Sequence, residues 1–273
     1  MKHIVEQYPS GIVSASKLPD WLLAHGLNAV NTEEAAHLMG VPPHYVRQKL
    51  AAQRKRGAVV SPARGLWVPV AAERRLWGAP EPMAYFDAMM EHLGAGYCVG
   101  WLSAAALHGA SHHAAQVFQV ATDKPVANRI VGRAQLQFFT REKLHRFSKE
   151  RKTVLAGSAS VATIDTTMLM VADDIALAGG LDNAANVVIE LAEADAFRIE
   201  DVVRSAPCFS VTAARRLGWL LEEFTNCDGL DDLAAFCAQR DSSISMLSPG
   251  AERRGPISKR WQLEINRKVE PDL

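Results

Sequence analysis

A group of basic and polar residues between His44 and Arg64 has the composition and spacing of a surface that contacts duplex DNA. Lysine and arginine neutralise phosphates, whereas arginine, glutamine and similar polar side chains hydrogen-bond base edges in the major groove. Arg47 is able to reach a guanine, with His44 and Gln48 beside it. The predicted DNA-binding set is Thr32, Pro43, His44, Tyr45, Arg47, Gln48, Lys49, Arg54, Lys55, Arg56 and Arg64.

Two short helices are predicted to position these residues. Asn31 and Glu34 have the spacing of a capping box, which begins a helix that ends at Gly40. Pro43 is pre-organised for the first turn of a second helix, and we expect that helix to continue to Arg56. Two helices joined by a short glycine-containing turn indicate a helix-turn-helix.

A β-hairpin is expected directly after the second helix. The apolar residues 58–60 and 66–68 flank the turn residues 61–65, which is the pattern of two strands joined by a wing loop. An amphipathic pattern at 17–27 predicts the first helix of the same unit. The sequence therefore predicts a winged helix-turn-helix domain in residues 1–78, with a boundary near the Gly-Pro-rich stretch around position 78.

The second helix has one buried and one exposed face. At 100° per residue, Val46, Leu50 and Gln53 share a face, with the two aliphatic residues as its buried part. The opposite face carries His44, Gln48, Ala51 and Lys55. Its small, polar and basic character suits a helix that enters a major groove. The alternative is a solvated charged face on a winged helix that binds protein, but cap, turn, basic helix and wing in this order favour DNA.

The charge is distributed unevenly although the net charge of the 273 residues is zero. Residues 1–78 carry ten Lys and Arg against five Asp and Glu, a net charge of +5, and residues 79–160 carry +3. Residues 161–273 carry eleven against nineteen, a net charge of −8. A basic first part and an acidic last part are typical of a DNA-binding domain followed by a different working domain.

Other features exclude several classes of protein. No apolar run approaches the roughly 20 residues of a membrane span, and the first residues are not those of a signal peptide. The four cysteines lie far apart without a CxxC pair, which supports neither a disulfide framework nor a zinc site. We therefore expect a cytoplasmic protein that contacts no membrane.

The most suggestive metal-binding pattern is a histidine pair. His108 and His112 are four residues apart, and His113 is adjacent. Gly109 and Ser111 lie between the first two at an expected helix end, and no glutamate accompanies them. A role in a loop or helix cap is therefore favoured over a metal, and no cofactor is expected.

Three further motifs are too weak to indicate catalysis. Asp173 and Asp174 lie between two expected helices, where a solvated acidic turn is the simplest interpretation. Ser158 and Ser160 lack the GxSxG elbow of a nucleophile, and Gly-Gly at 179–180 lacks the residues of a phosphate-binding loop. The sequence predicts that the chain is not an enzyme.

Residues 79–273 combine helix and strand patterns, so the predicted fold class is α+β, with a larger mixed domain after the winged helix-turn-helix. The predicted helices cover 83–93, 99–108, 167–172, 182–194, a stretch that reaches 204, 212–224 and 230–239. The predicted strands cover 116–122, 129–131, 135–140, 161–164 and, as a final strand, 261–268.

The chain resembles the AbiE-type abortive-infection antitoxins, the AbiEi family of type IV toxin–antitoxin systems, which includes mycobacterial MenA-like antitoxins. The resemblance covers about residues 16–273 and is carried by residues 18–68 and by five later segments in order. They are YCVGWLSAAALHGA, FQVATDKP, ASVATIDTTMLMVAD, LGWLLEEF and RWQLEINRKVEPDL. The sequence departs from the family at Trp67, where tyrosine is common, and in the long lead SASKLPD.

The resemblance implies an antitoxin that is also an autoregulatory repressor. Its winged helix would bind inverted repeats of double-stranded DNA in its own promoter. Its second domain would counter a cognate nucleotidyltransferase-like toxin, by direct contact in some family members and without it in others. We expect a monomer in solution that pairs on DNA. The competing interpretation is a transcriptional regulator whose second domain senses a small molecule.

Overall fold

The computed structural model describes residues 3–110 and 117–272, so His112, His113 and position 116 of the predictions lie outside the described residues. The first part of the chain forms helices around a small three-stranded antiparallel sheet in the order β1-β3-β2. Its elements are α1 (His3–Gln7), α2 (Leu18–Ala24), β1 (Val30–Asn31), α3 (Thr32–Met39), α4 (Val46–Lys49), α5 (Ala51–Lys55), β2 (Val59–Val60) and β3 (Leu66–Pro69).

The helix predicted from position 43 to 56 is present, but it is not one regular α-helix. It begins as a 3-10 turn over Pro43–Tyr45, and Leu50 (φ −87°, ψ −1°) separates α4 from α5. The backbone ladder nevertheless continues, because the Leu50 amide bonds the Val46 carbonyl and the Arg54 amide bonds that of Leu50, each at 2.9 Å. The segment therefore keeps the predicted extent and faces.

A mixed six-stranded sheet follows a 3-10 segment, Ala72–Trp77, and the helix α6 (Pro82–Leu93). The strand order is β6-β7-β5-β4-β9-β8. The elements after α6 are β4 (Tyr97–Val99), α7 (Trp101–Leu107), β5 (Val117–Thr122), β6 (Arg129–Val131), β7 (Ala134–Thr140), β8 (Lys149–Val154) and β9 (Gly157–Ala162). The three predicted strands β5, β6 and β7 are confirmed.

The sequence missed β4 and β8 for physical reasons. Val99 was assigned to a helix, but it ends the three-residue strand β4, and Trp101 (φ +47°) turns the chain into α7. Strand β8 is an edge strand of charged residues (KERKTV), so it shows no apolar alternation. The strand predicted at 161–164 begins earlier, as β9, and the chain is helical from Ile164 onward.

The last part of the chain is mainly helical. The helices α8 (Ile164–Asp173), α9 (Leu181–Ala192), α10 (Ile199–Ser205), α11 (Val211–Phe224) and α12 (Asp231–Arg240) agree with the predicted ones. Three two-residue strands, β10 (Ser245–Met246), β11 (Ile257–Ser258) and β12 (Leu263–Glu264), form a sheet in the order β10-β12-β11.

The predicted final strand over 261–268 is wrong in length. Only Leu263 and Glu264 are paired, because Gln262 has a positive φ of +48° that breaks the extended run. Trp261 is completely buried, and its ring fills the space beside Gly218, where a Cβ atom would lie 2.1 Å from the ring. Packing against α11 therefore overrides the alternating pattern.

Three apolar clusters form the core, and β3 contributes to two of them. Trp67 belongs to the cluster of the first helices, with Leu22 and Val46 among its members. Leu66 and Val68 point to the other side and join the cluster of α6 and the six-stranded sheet. The α+β fold class is confirmed. In the described ranges, no helix is both long and apolar enough to cross a membrane.

Candidate nucleic-acid interface

The predicted capping box is formed at the start of α3. The Asn31 side chain accepts a hydrogen bond from the Glu34 amide at 2.9 Å, and the Asn31 amide donates to the Glu34 carboxylate at 2.7 Å. Burial raises the pKa of the Glu34 carboxyl, and the bond from the Asn31 amide opposes that rise. Gly40 ends the helix in a left-handed conformation (φ +61°), so the turn into the next helical segment follows the predicted form.

The next helical segment presents the predicted face to solvent. Val46 and Leu50 are fully buried and Gln53 is 4% exposed, which fixes the orientation of the segment on the core. The outward residues are exposed, and they include Pro43, His44, Tyr45, Arg47, Gln48, Lys49, Ala51, Arg54, Lys55 and Arg56. Apolar anchoring on one side therefore leaves a polar and basic surface on the other.

Most cations of this surface have no internal partner among the described residues. Within residues 3–110 and 117–272, no hydrogen bond or ion pair engages the side chains of Arg47, Lys49, Arg54 and Lys55. Arg56 is the exception, because its guanidinium donates to the Gln53 side chain at 2.8 Å. Exposed cations without an internal acceptor remain available to phosphates and base edges.

The loop between β2 and β3, which is the predicted wing, lies against the start of α3. The Thr32 hydroxyl donates to the Gly65 carbonyl at 3.2 Å and accepts from the Trp67 indole at 3.1 Å. Thr32 was predicted to contact DNA, but these bonds give its hydroxyl an internal role in attaching the wing. Trp67, where the family often has tyrosine, supplies one of the two bonds, so this departure from the family pattern is accommodated.

Two side chains of the following part of the chain also hold the wing loop. Arg129 donates to the Pro62 carbonyl, and the Nε2 atom of His92 donates to the Arg64 carbonyl, both at 2.9 Å. The Arg64 side chain itself is exposed. Sequence reasoning missed Arg129 and His92, because contacts between residues 28 or 67 positions apart leave no local pattern.

The part of the chain after the β2–β3 hairpin is similar to a known protein domain. Residues 98–223 match the family model of the AbiEi antitoxin C-terminal domain. The chain carries an AbiEi antitoxin domain. The match supports an antitoxin role for the chain, and it confirms the resemblance seen in the sequence.

One solved structure is similar in fold over nearly the whole length. The crystal structure of the RV2827C protein from Mycobacterium tuberculosis matches 93% of this chain and 94% of that chain, with a TM-score of 0.64 and 15% sequence identity. At that identity the likeness concerns the fold alone. No curated protein sequence matches the chain.

Inside the AbiEi domain, His108 has a structural environment. Its Nε2 atom lies 2.7 Å from the Ala162 carbonyl, which can only accept, so Nε2 carries the proton. Nδ1 then accepts from the Lys152 ammonium at 3.0 Å. Burial, and to a smaller extent the charge of Lys152, lower the pKa of His108 and keep the ring neutral. In the part of the chain that the structure describes, no group of three His, Cys, Asp or Glu residues could hold a metal ion.

The prediction of a solvated acidic turn in the AbiEi domain is wrong. Asp173 and Asp174 were expected to form a solvated turn, but both are only partly exposed and both are bonded. Asp174 pairs with Arg141 and accepts from the Trp101 indole, while Asp173 accepts from the Ser210 hydroxyl. Burial raises the pKa of Asp173. The pair holds the end of α8 to α11 and to the sheet.

The other weak motifs of the AbiEi domain also have structural partners. Ser158 accepts a hydrogen bond from Arg151, and the Ser160 amide donates to the Tyr97 hydroxyl. Burial raises the pKa of the Cys98 thiol to about 12, so this cysteine is protonated at neutral pH. None of these groups is arranged as a nucleophile with a base.

Proposed function

We propose that this antitoxin is also an autoregulatory transcriptional repressor that binds double-stranded DNA through a winged helix-turn-helix in residues 1–78. One observation carries the proposal: the segment Pro43–Lys55 exposes unpaired cations on the face opposite its buried Val46 and Leu50. The arrangement of α2, α3, this segment and the β2–β3 hairpin supplies the helix and wing that such readers use.

The proposed reading is divided between base edges and phosphates. His44, Arg47 and Gln48 lie near the N-terminal end of the exposed face, which is the end that meets base edges in helix-turn-helix proteins. Lys55, Arg56 and Arg64 would contact phosphates and set the register without reading sequence. Two copies of a chain that is a monomer in solution would then occupy the two halves of an inverted repeat.

A reporter gene placed behind the DNA upstream of the chain's own coding sequence tests repression. We expect the intact chain to lower reporter expression and Arg47→Ala to restore it at equal protein level. Arg151→Ala is the matched control, because Arg151 is exposed but lies on β8 and pairs with Asp87. Equal repression by the chain and by Arg47→Ala would contradict the proposed role of the helical face.

The second part of the proposal concerns residues 79–273, which we assign to countering a nucleotidyltransferase-like toxin in the cytoplasm. Exposed acidic residues are concentrated between the end of α9 and the start of α12. They are Glu193, Asp195, Glu200, Glu222, Glu223, Asp228, Asp231 and Asp232. A surface of this charge complements a basic, RNA-binding toxin and speeds encounter at low salt.

Co-purification of the full-length chain with the toxin encoded beside its gene tests the acidic surface. We expect capture at low salt, loss at high salt, and weaker capture by the Asp228→Lys, Asp232→Lys double variant, which keeps the ion pair of Asp231 with Arg260. Glu142→Lys is the control, because Glu142 is exposed outside that surface. Absence of capture by the unmodified chain at low salt would contradict direct contact and leave the repressor role standing.

A further inference from the structure

The strand β3 joins the proposed DNA-binding unit to the rest of the molecule. All four of its residues are buried, and the first three alternate between two cores. Trp67 packs with the first helices, whereas Leu66 and Val68 pack with α6 and the six-stranded sheet. The side of the hairpin that an independent winged helix would leave to solvent is therefore an internal surface of this protein.

The loop at the end of the hairpin is held from the same direction. It has five residues, 61–65, and two of its carbonyl groups accept hydrogen bonds from residues beyond position 78. Arg129 bonds the carbonyl of Pro62, and His92 bonds that of Arg64. Gly65 follows with φ +82°, and a Cβ atom there would lie 3.8 Å from the His92 ring. The backbone is thus fixed on both sides of the Arg64 Cα atom.

Arg129 is suited to holding the loop rather than to contacting a ligand. Its guanidinium lies 5.4 Å from the centre of the Phe138 ring and is only partly exposed, and burial lowers its pKa. The Nη1 atom of Arg129 already donates to the Pro62 carbonyl, so it is not free to bind a ligand. Arg64, by contrast, is exposed and within the described ranges has no internal partner for its side chain.

We propose that Arg129 and His92 are positioning residues for DNA recognition, which hold the wing so that Arg64 reaches the phosphate backbone. This inference rests on the proposed function. It assigns to the second part of the chain a share in reading the operator, defined as the DNA upstream of the chain's own gene. Residues 1–78 alone then lack the contacts that fix their wing.

The first test needs no DNA. Amide hydrogen exchange of Ser61 and of residues 63–66 is compared in the full chain and in Arg129→Met, with Arg133→Met as the matched control. Arg133 belongs to the same β6–β7 hairpin but stacks on Trp77, 5.3 Å away, and among the described residues no hydrogen bond joins its side chain to the wing. We expect about tenfold faster exchange in Arg129→Met alone, since one anchoring hydrogen bond is lost. Arg129→Lys, which retains a donor, should recover part of the protection.

The second test is a double-mutant cycle on the operator. Arg64→Ala and Arg129→Met should each weaken binding by about fivefold, the effect of about one lost phosphate contact. The double variant should bind no more weakly than Arg64→Ala, because Arg129 acts through Arg64. Arg133→Met should bind as the unmodified chain does.

The two tests separate the positioning role of Arg129 from the repressor proposal. Unchanged exchange in Arg129→Met, or multiplied losses in the double variant, would overturn the positioning role while the repressor proposal stands. Equal binding of operator and scrambled DNA by the unmodified chain would overturn the proposed function and this inference with it. Faster loop exchange together with the non-additive cycle supports it.

Discussion

The protein contains two groups of basic residues on helices whose surroundings differ. Arg47, Arg54 and Lys55 lie on the proposed recognition helix and are exposed. Arg215 and Arg216 lie in α11 and are 0% and 6% exposed. The side chains of the first group are available to a binding partner, while those of the second donate hydrogen bonds within the protein. Neighbouring apolar positions at helical spacing distinguish the two, because they show which face of the helix is buried.

The buried group should give the largest effect on stability. Arg216 donates to the Ala172 carbonyl at the end of α8 and twice to the Met246 carbonyl in β10. Arg216→Ala leaves one buried and one partly buried acceptor without these partners, at about 1–3 kcal/mol each. We expect the free energy of unfolding to fall by about 2–6 kcal/mol in urea titrations.

Arg240→Ala is the control for that measurement. Arg240 ends α12, is exposed and only stacks on Phe236, so its loss should change stability by less than about 0.5 kcal/mol. Equal effects of the two variants would remove the distinction between structural and available arginines on which the comparison rests.

The exposed group should show the opposite behaviour. Arg47→Ala is expected to weaken operator binding by about 1–3 kcal/mol and to relax base preference at one position. Its midpoint of urea unfolding should stay within error of the unmodified chain, because the side chain is exposed and has no hydrogen-bond or ion-pair partner in the described ranges. A stability loss as large as the affinity loss would show that Arg47 supports the fold.

Lys55→Ala should have a smaller and less specific effect. A phosphate contact contributes to every duplex alike, so operator and scrambled DNA should both bind more weakly. The slope of log affinity against log salt should decrease in magnitude by about one. An unchanged slope would place Lys55 away from the DNA.

His108 should produce the smallest effect, and it depends on pH. Its pKa is lowered from 6.5, so the folded chain takes up the proton at lower pH than the unfolded chain does. Stability is therefore fully present above about pH 7 and decreases as the pH falls through 6.5 towards the folded-state pKa. Lys152, Glu150 and Asp165 also act on the ring. His108→Gln should flatten this decrease in urea midpoints, whereas identical pH profiles would contradict the neutral assignment.

The sequence predicted the parts of the fold that depend on local patterns. The capping pair Asn31–Glu34, the left-handed Gly40 and the helices of the last third have strong signals within a few residues. Long-range pairing was not predictable in this way. Strand β8 is recognised only beside β9, and the bonds of Asp174 come from Arg141 and Trp101, 33 and 73 residues away.

The same limit applies to the candidate interface. The exposed face of the segment Pro43–Lys55 followed from its periodicity, because Val46 and Leu50 mark the buried side. The use of the Thr32 hydroxyl inside the wing, and the hold of Arg129 and His92 on the loop, depend on how distant elements pack. Sequence patterns therefore identified the surface, and the structure identified what fixes it.

A fluorescence-anisotropy titration tests the central claim most directly. The unmodified chain is titrated against the operator and against scrambled DNA of equal length, at two salt concentrations. We expect tight operator binding, at least about a thousandfold above scrambled DNA, with a steep salt dependence. Equal and weak binding to both duplexes would contradict specific DNA binding by this chain. The exposed cations of the helix would then contact a protein partner or only solvent.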